Sequence, residues 1–106
     1  MTHGLIHSAK ELALRPHVGP IASSDTFYDP DPGRHRRWAA RGVLAVEMEA
    51  AVLFTIGALR GIEAACVLTV SDIISGEEFT RISDAELAAA VERMTRLALR
   101  AAVDEH

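Results

Sequence analysis

Cysteine is nearly absent: Cys66 is the single one in 106 residues, so no disulfide can form within the chain and no cysteine cluster can bind a metal. That usage fits a reducing compartment, and a cytoplasmic location is expected. Basic residues are outnumbered, 11 against 15 acidic, and the formal net charge of −4 removes the electrostatic footprint of a dedicated nucleic-acid binder. No apolar run approaches the roughly 18 residues of a membrane-spanning helix, and residues 1–10 lack the basic-then-apolar pattern of a signal peptide. Neither nucleic acid nor a membrane is therefore an expected partner. Aromatics supply only 5% of the residues, which leaves alanine, leucine and valine to pack a core.

What is present is the composition of an ordinary globular protein, 49% hydrophobic and 25% charged, without internal repeats or low-complexity stretches. The length suits one small domain over residues 1–106. Leu5, Ala9, Leu12 and Ala13 recur at helical spacing, and Pro16 stops a helix over 4–14. Residues 17–22 read as a short strand, with Pro20 placing it at an edge or ending it early. Asp29-Pro30-Asp31-Pro32-Gly33 is a loop that feeds a basic helix over 34–41, closed by Gly42.

Val43 to Val46 form an apolar strand that gives way to a helix from Met48, with Val52, Ile56 and Leu59 on one stripe and Gly61 as its left-handed cap. Ala64 to Val70 predict a strand covered on both faces, with Ser71-Asp72 at its carboxyl end. Ser83 and Glu86 have capping-box spacing, and Leu87, Val91, Met94, Ala98 and Ala101 continue a helical face to the carboxyl terminus. Alternating strands and helices predict an α/β protein with a mostly parallel sheet of about three strands and flanking helices.

Glu47-Met48-Glu49 places two carboxylates inside an apolar run, where an unpaired buried charge is costly. Two readings stand. A carboxylate at a helix head is favoured by the free N–H groups there, typically by about 0.3–1 kcal/mol; a carboxylate also accepts hydrogen bonds from two adjacent hydroxyls, as in a ribose diol, with a methionine as apolar wall. Ser71-Asp72 either caps a turn, the commoner role of such residues, or stands where open α/β sheets bind ligands, beyond a strand's carboxyl end. As a general acid Asp72 needs desolvation, which Val67 to Val70 are placed to supply.

Phe27 and Tyr28 lie in a polar loop and either stack on a heterocycle or cover a sheet edge. The basic residues Arg34, His35, Arg36, Arg37 and Arg41 read as an exposed helix face rather than a phosphate site. His3 and His7 lack a third ligand, so no metal is expected. Cys66 reads as a small hydrophobe, and Gly57 and Gly61 as packing and capping glycines.

Val46-Glu47-Met48-Glu49-Ala50-Ala51, Val70-Ser71-Asp72 and Ser24-Asp25-Thr26-Phe27-Tyr28, taken in that order and spacing, resemble the carboxyl-terminal half of the nucleoside phosphorylase family. That family includes bacterial purine nucleoside phosphorylase, uridine phosphorylase and the methylthioadenosine nucleosidases. The resemblance runs from about Leu5 to the end and thins after Ile74. It implies part of a phosphorylase-type three-layer α/β/α domain, and reversible phosphorolysis of purine ribonucleosides to free base and ribose 1-phosphate. Inorganic phosphate would be co-substrate, without a cofactor.

It further implies that Glu47, Met48 and Glu49 line the nucleoside site, with Glu49 on the ribose hydroxyls and Met48 against the sugar. Phe27 would stack near the base with Tyr28 behind it. Asp72 would protonate the purine N7, positioned by Ser71, and an aspartate there resembles purine-specific members. Arg81 stands at a different spacing from the arginine that assists the acid in the bacterial purine enzymes, and no catalytic role is expected of it. No segment matches the family's phosphate loop. A homo-oligomer or a complementing chain is implied, and hydrolysis, uridine phosphorolysis and a noncatalytic remnant stand as alternatives.

Overall fold

In a computed structural model the described residues are 1–75 and 78–104. Helix α1 (Thr2–Glu11) is followed by β1 (Ile21–Ser23), α2 (Arg34–Ala40), β2 (Ala45–Glu47), α3 (Ala50–Arg60), the strands β3 (Asp72–Ser75) and β4 (Glu78–Arg81), and α4 (Asp84–Asp104). The class is α/β, as the alternating pattern predicts.

Strands β1 and β2 pair in parallel, Ile21 with Ala45, Ala22 with Val46 and Ser23 with Glu47, and α2 lies in the crossover between them. Backbone bonds continue the pairing at both ends, from Leu44 N–H to the Pro20 carbonyl (2.9 Å) and from Ser24 N–H to the Glu47 carbonyl (2.8 Å). Pro20 has no N–H to give the ladder but contributes its carbonyl, which is why β1 begins after it rather than ending at it. Strands β3 and β4 form a separate antiparallel pair, with Asp72 opposite Arg81.

The expected three-stranded parallel sheet is therefore two-stranded among the described residues. The expected strand over Ala64–Val70 forms no ladder: an extended apolar run becomes a strand only by exchanging backbone hydrogen bonds with a neighbour, and it pairs with none of the described strands. Asp72 accordingly opens an antiparallel strand instead of standing at the carboxyl end of a central one.

Helix ends follow local chemistry. The chain leaves α1 three residues earlier than the periodicity of Leu12 and Ala13 predicts: Ala13 adopts a left-handed φ of 58°, and Leu14 N–H returns to the Ala9 carbonyl (2.8 Å) in a Schellman-type close. Gly61 (φ 66°) caps α3 as expected, with Ile62 N–H on the Gly57 carbonyl (2.9 Å). Ser83 Oγ accepts the Glu86 N–H (3.1 Å), the predicted start of α4.

Helices α1 and α4 pack through small side chains, with Ser8, Ala9, Leu97 and Ala101 buried, and Arg100 reaches Glu11 at 2.7 Å. The predicted stripe of α3 is not buried: Val52, Ile56 and Leu59 are 60%, 52% and 79% exposed, and α3 buries only Ala50 and Gly57. The sheet is too narrow to cover it. A chain of 11.4 kDa folded compactly exposes about 5,800 Å², whereas this one exposes 8184 Å². Its radius of gyration is 15.1 Å, against about 13 Å for a compact domain of this length.

Candidate functional site

The parallel pair ends at Ser23 and Glu47, side by side in register, and the chain turns from there straight into α3. This is the carboxyl end of both strands, the position at which open α/β sheets bind ligands. The opening N–H groups of α3 have no partner within the helix and must be satisfied from outside. Glu47 does this: its Oε2 accepts the N–H of Glu49 (2.6 Å) and of Ala50 (2.7 Å), while its Oε1 takes the hydroxyl of Ser23. The same Ser23 oxygen accepts the N–H of Ala51 (3.0 Å). Partial burial raises the Glu47 carboxyl pKa, but the Ser23 hydroxyl and the backbone donors more than offset it, so the net shift is downward.

Glu49 is used differently. It stands at the cap position of α3, yet its side chain makes no capping bond to the helix, and among the described residues it accepts the Met48 N–H alone, at 3.2 Å. Its carboxylate borders a groove of about 690 Å³ lined mainly by Met48, Val52, Leu53, Ile56 and Ile62. Met48 also borders a second groove, of about 330 Å³, with Ser23, Asp25, Ala51 and Thr55. The turn thus presents one committed carboxylate, one open carboxylate and a methionine between two grooves. The two readings of Glu47-Met48-Glu49 divide between the residues: helix capping describes Glu47, and an open acceptor beside an apolar wall describes Glu49.

The other predicted site residues lie apart. Phe27 and Tyr28 are 77% and 87% exposed and pack edge to face on each other with centroids 4.9 Å apart. They line neither groove, and they do not cover the sheet edge. Ser71 Oγ donates to Asp72 Oδ2 at 3.0 Å. The desolvation expected from Val67 to Val70 is not formed: Asp72 is exposed, and so are Leu68 and Val70, while Val67 and Thr69 are only half-buried.

Arg81, discounted on spacing, is the register partner of Asp72 across the hairpin. Opposed residues of an antiparallel pair share a face with Cβ atoms about 4.5–5.5 Å apart, a proximity that linear spacing conceals. Sequence reasoning also passed over Ser23, and quoted Asp25 within a motif without giving it a role. Their signal is a polar Ser-Ser-Asp run directly after the apolar Ile21-Ala22.

Elsewhere, Arg34 and Arg37 bind Asp29 and Asp31 of the preceding loop, the former at 2.8 Å. The basic helix is thereby tied to its own turn, a pairing the face reading does not include; Arg36, Arg37 and Arg41 are exposed, and Arg34 and His35 half-buried. Cys66 is half-buried; burial chiefly, and the Glu47 carboxylate secondarily, raise its thiol pKa. Among the described residues no cluster of histidine, cysteine and carboxylates could hold a metal ion, and no helix is long and apolar enough to cross a membrane.

The family model described as "Phosphorylase superfamily" matches residues 1–103. The chain belongs to the phosphorylase superfamily. Among curated relatives, a protein named purine nucleoside phosphorylase DeoD-type from Caldanaerobacter subterraneus is 51% identical over 70 residues, covering 65% of this chain and 30% of the relative. Proteins of the same name from Clostridium perfringens and Hahella chejuensis are 39% and 42% identical over 97 and 100 residues, covering 91% and 93% of this chain and 40% and 41% of theirs. The chain therefore spans well under half the length of these superfamily relatives. Both the β2–α3 turn and the Ser71-Asp72 pair fall within the span matched by the superfamily model.

Proposed function

We propose that this chain carries the sugar, base and acid positions of a purine nucleoside phosphorylase site, which catalyses reversible phosphorolysis of purine ribonucleosides when the rest of the domain is present. The observation that carries this reading is the open Glu49 carboxylate beside Met48 and an apolar groove, at the carboxyl ends of a parallel strand pair. The names of the relatives support the substrate class.

In this reading Glu49 accepts both ribose hydroxyls, Met48 packs on the sugar, and Glu47 forms the floor of the turn. Phe27 stacks on the base with Tyr28 edge-on behind it. As the glycosidic bond breaks, its electrons pass to the purine, Asp72 delivers a proton to N7, and a phosphate oxygen bonds to the anomeric carbon. Ser71 orients the Asp72 carboxyl through the bond it already makes. General acid catalysis of this kind is worth about 10²–10⁴-fold. Phosphate is co-substrate, and no cofactor enters.

The partner is the remainder of a phosphorylase domain, present on a longer or complementing polypeptide. The support is physical: the chain exposes far more surface than a compact one, and the excess includes the apolar face of α3 and, in the unpaired run Ala64–Val70, Leu68 and Val70. An added strand beside that run would bury Leu68 and Val70 and desolvate the neighbouring Asp72. A cytoplasmic location fits such an enzyme.

The test is product analysis from inosine and phosphate, with this chain alone and mixed with the amino-terminal portion of the Clostridium perfringens relative. Hypoxanthine with ribose 1-phosphate in the mixture is the expected result. Free ribose would replace phosphorolysis with hydrolysis, and binding without turnover would identify a noncatalytic remnant. Elution of this chain as a symmetric oligomer that excludes the added polypeptide would overturn the complementing-partner reading.

A further inference from the structure

A carboxylate whose acceptor positions are occupied cannot also bind a sugar diol without releasing the donors it holds. Glu47 has three of its roughly four acceptor positions filled, which leaves too few for both hydroxyls of a diol. Its Oε2 takes two backbone N–H groups at 2.6 and 2.7 Å, and its Oε1 takes the Ser23 hydroxyl. Ser23 in turn accepts Ala51 N–H at 3.0 Å, from a residue 28 positions along the chain. These bonds tie the ends of β1 and β2 to the first two residues of α3, and Glu49 is one of the residues whose N–H is held.

We propose that Ser23 and Glu47 are positioning residues: together they form a brace that fixes the backbone of Glu49 and so aims its carboxylate at the substrate sugar. The inference rests on the nucleoside reading above, and it assigns Ser23 a role that the sequence motif does not give it. Glu49 takes a non-helical φ of −124° and ψ of −25° at the cap. With no capping bond of its own, its backbone is held by the Glu47 carboxylate and by the helix that follows. Loss of the brace leaves the carboxylate present but unaimed.

The brace can be read without ligand, by amide hydrogen exchange at Glu49, Ala50 and Ala51 in the wild type, Ser23→Ala, Ser23→Thr and Glu47→Gln. Loss of one capping interaction should raise exchange by about 2–30-fold. Ser23→Ala is expected to act most at Ala51 and Glu47→Gln at Glu49 and Ala50. Ser23→Thr, which keeps the hydroxyl and suits a strand, should restore wild-type rates. The second readout is binding of inosine against binding of hypoxanthine. An aiming role predicts that Ser23→Ala weakens inosine and leaves hypoxanthine unchanged, whereas general loss of structure weakens both.

Unchanged exchange in Ser23→Ala and Glu47→Gln would overturn the brace, whatever the ligand does. Equal weakening of inosine and hypoxanthine would overturn the aiming role. A wild type that binds no inosine while exchange responds as expected would instead remove the nucleoside reading and leave the brace as a helix cap.

Discussion

Replacing Glu47 with glutamine keeps the side chain's size and removes its charge, which isolates the carboxylate's contribution to holding the β2–α3 junction. Three donors converge on that carboxylate, and its pKa is lowered from the ordinary glutamate value because they outweigh the burial that opposes them. A group with a lowered folded pKa contributes stability above its unfolded pKa, and that contribution is lost as pH falls through the lower folded value. Glu47→Gln should therefore be less stable than wild type at pH 7, and the two should converge below the glutamate range of about 4.3.

Glutamine keeps an oxygen that accepts these N–H groups, so the loss is that of a negative charge beside the helix N-terminus, about 0.3–1 kcal/mol. With a urea dependence of about 1–3 kcal/mol per molar, a loss near 1 kcal/mol lowers the unfolding midpoint by about 0.3–1 M. The assay is urea unfolding of both proteins at stepped pH from 7 to 3. Asp31, whose pKa is lowered mainly by its bond from Arg37, is common to both proteins and cancels in the difference. A midpoint gap that stays constant across the range would refute the capping argument, since it would show that protonating Glu47 changes nothing.

Other outcomes are open to equally direct measurement. Leu97→Ala removes the largest side chain of the α1–α4 core, 4% exposed among small neighbours, and should cost about 2–5 kcal/mol by chemical denaturation. Ala13→Gly should raise the melting temperature, because a left-handed φ of 58° costs a side-chain-bearing residue about 1–2 kcal/mol that glycine avoids. Gly57→Ala should destabilise α3, since an added Cβ would lie 3.0 Å from the Ile62 carbonyl oxygen. Alkylation of Cys66 by iodoacetamide should become rapid only above the pH at which a free thiol reacts, burial being the main cause and Glu47 the lesser.

The helices were legible because each carries its own boundary signals. Ser83 with Glu86 marks the start of α4, and Gly61 ends α3 at the predicted residue. Ala13 misled because a left-handed alanine carries no compositional mark. The strands were less legible. Ala64 to Val70 have the composition of a buried strand, but pairing is a property of neighbours, and the described residues supply none. The same deficit leaves Val52, Ile56 and Leu59 exposed on a helix whose spacing reads as buried.

At the site, composition placed Glu47, Met48 and Glu49 together but could not divide their duties. That division needed Ser23, 24 residues upstream, which only the strand register brings opposite Glu47. The link between Asp72 and Arg81 was likewise invisible in linear spacing and is set by hairpin pairing.

The most direct test of the sugar-binding assignment is titration of the protein with inosine and with 2′,3′-dideoxyinosine, followed by the Met48 methyl and Glu49 amide resonances in wild type and Glu49→Ala. If Glu49 holds the ribose diol, inosine shifts both signals in the wild type, the dideoxy compound binds far more weakly, and Glu49→Ala abolishes the distinction. Equal binding of the two nucleosides by the wild type, or a preference for inosine that survives Glu49→Ala, would contradict it.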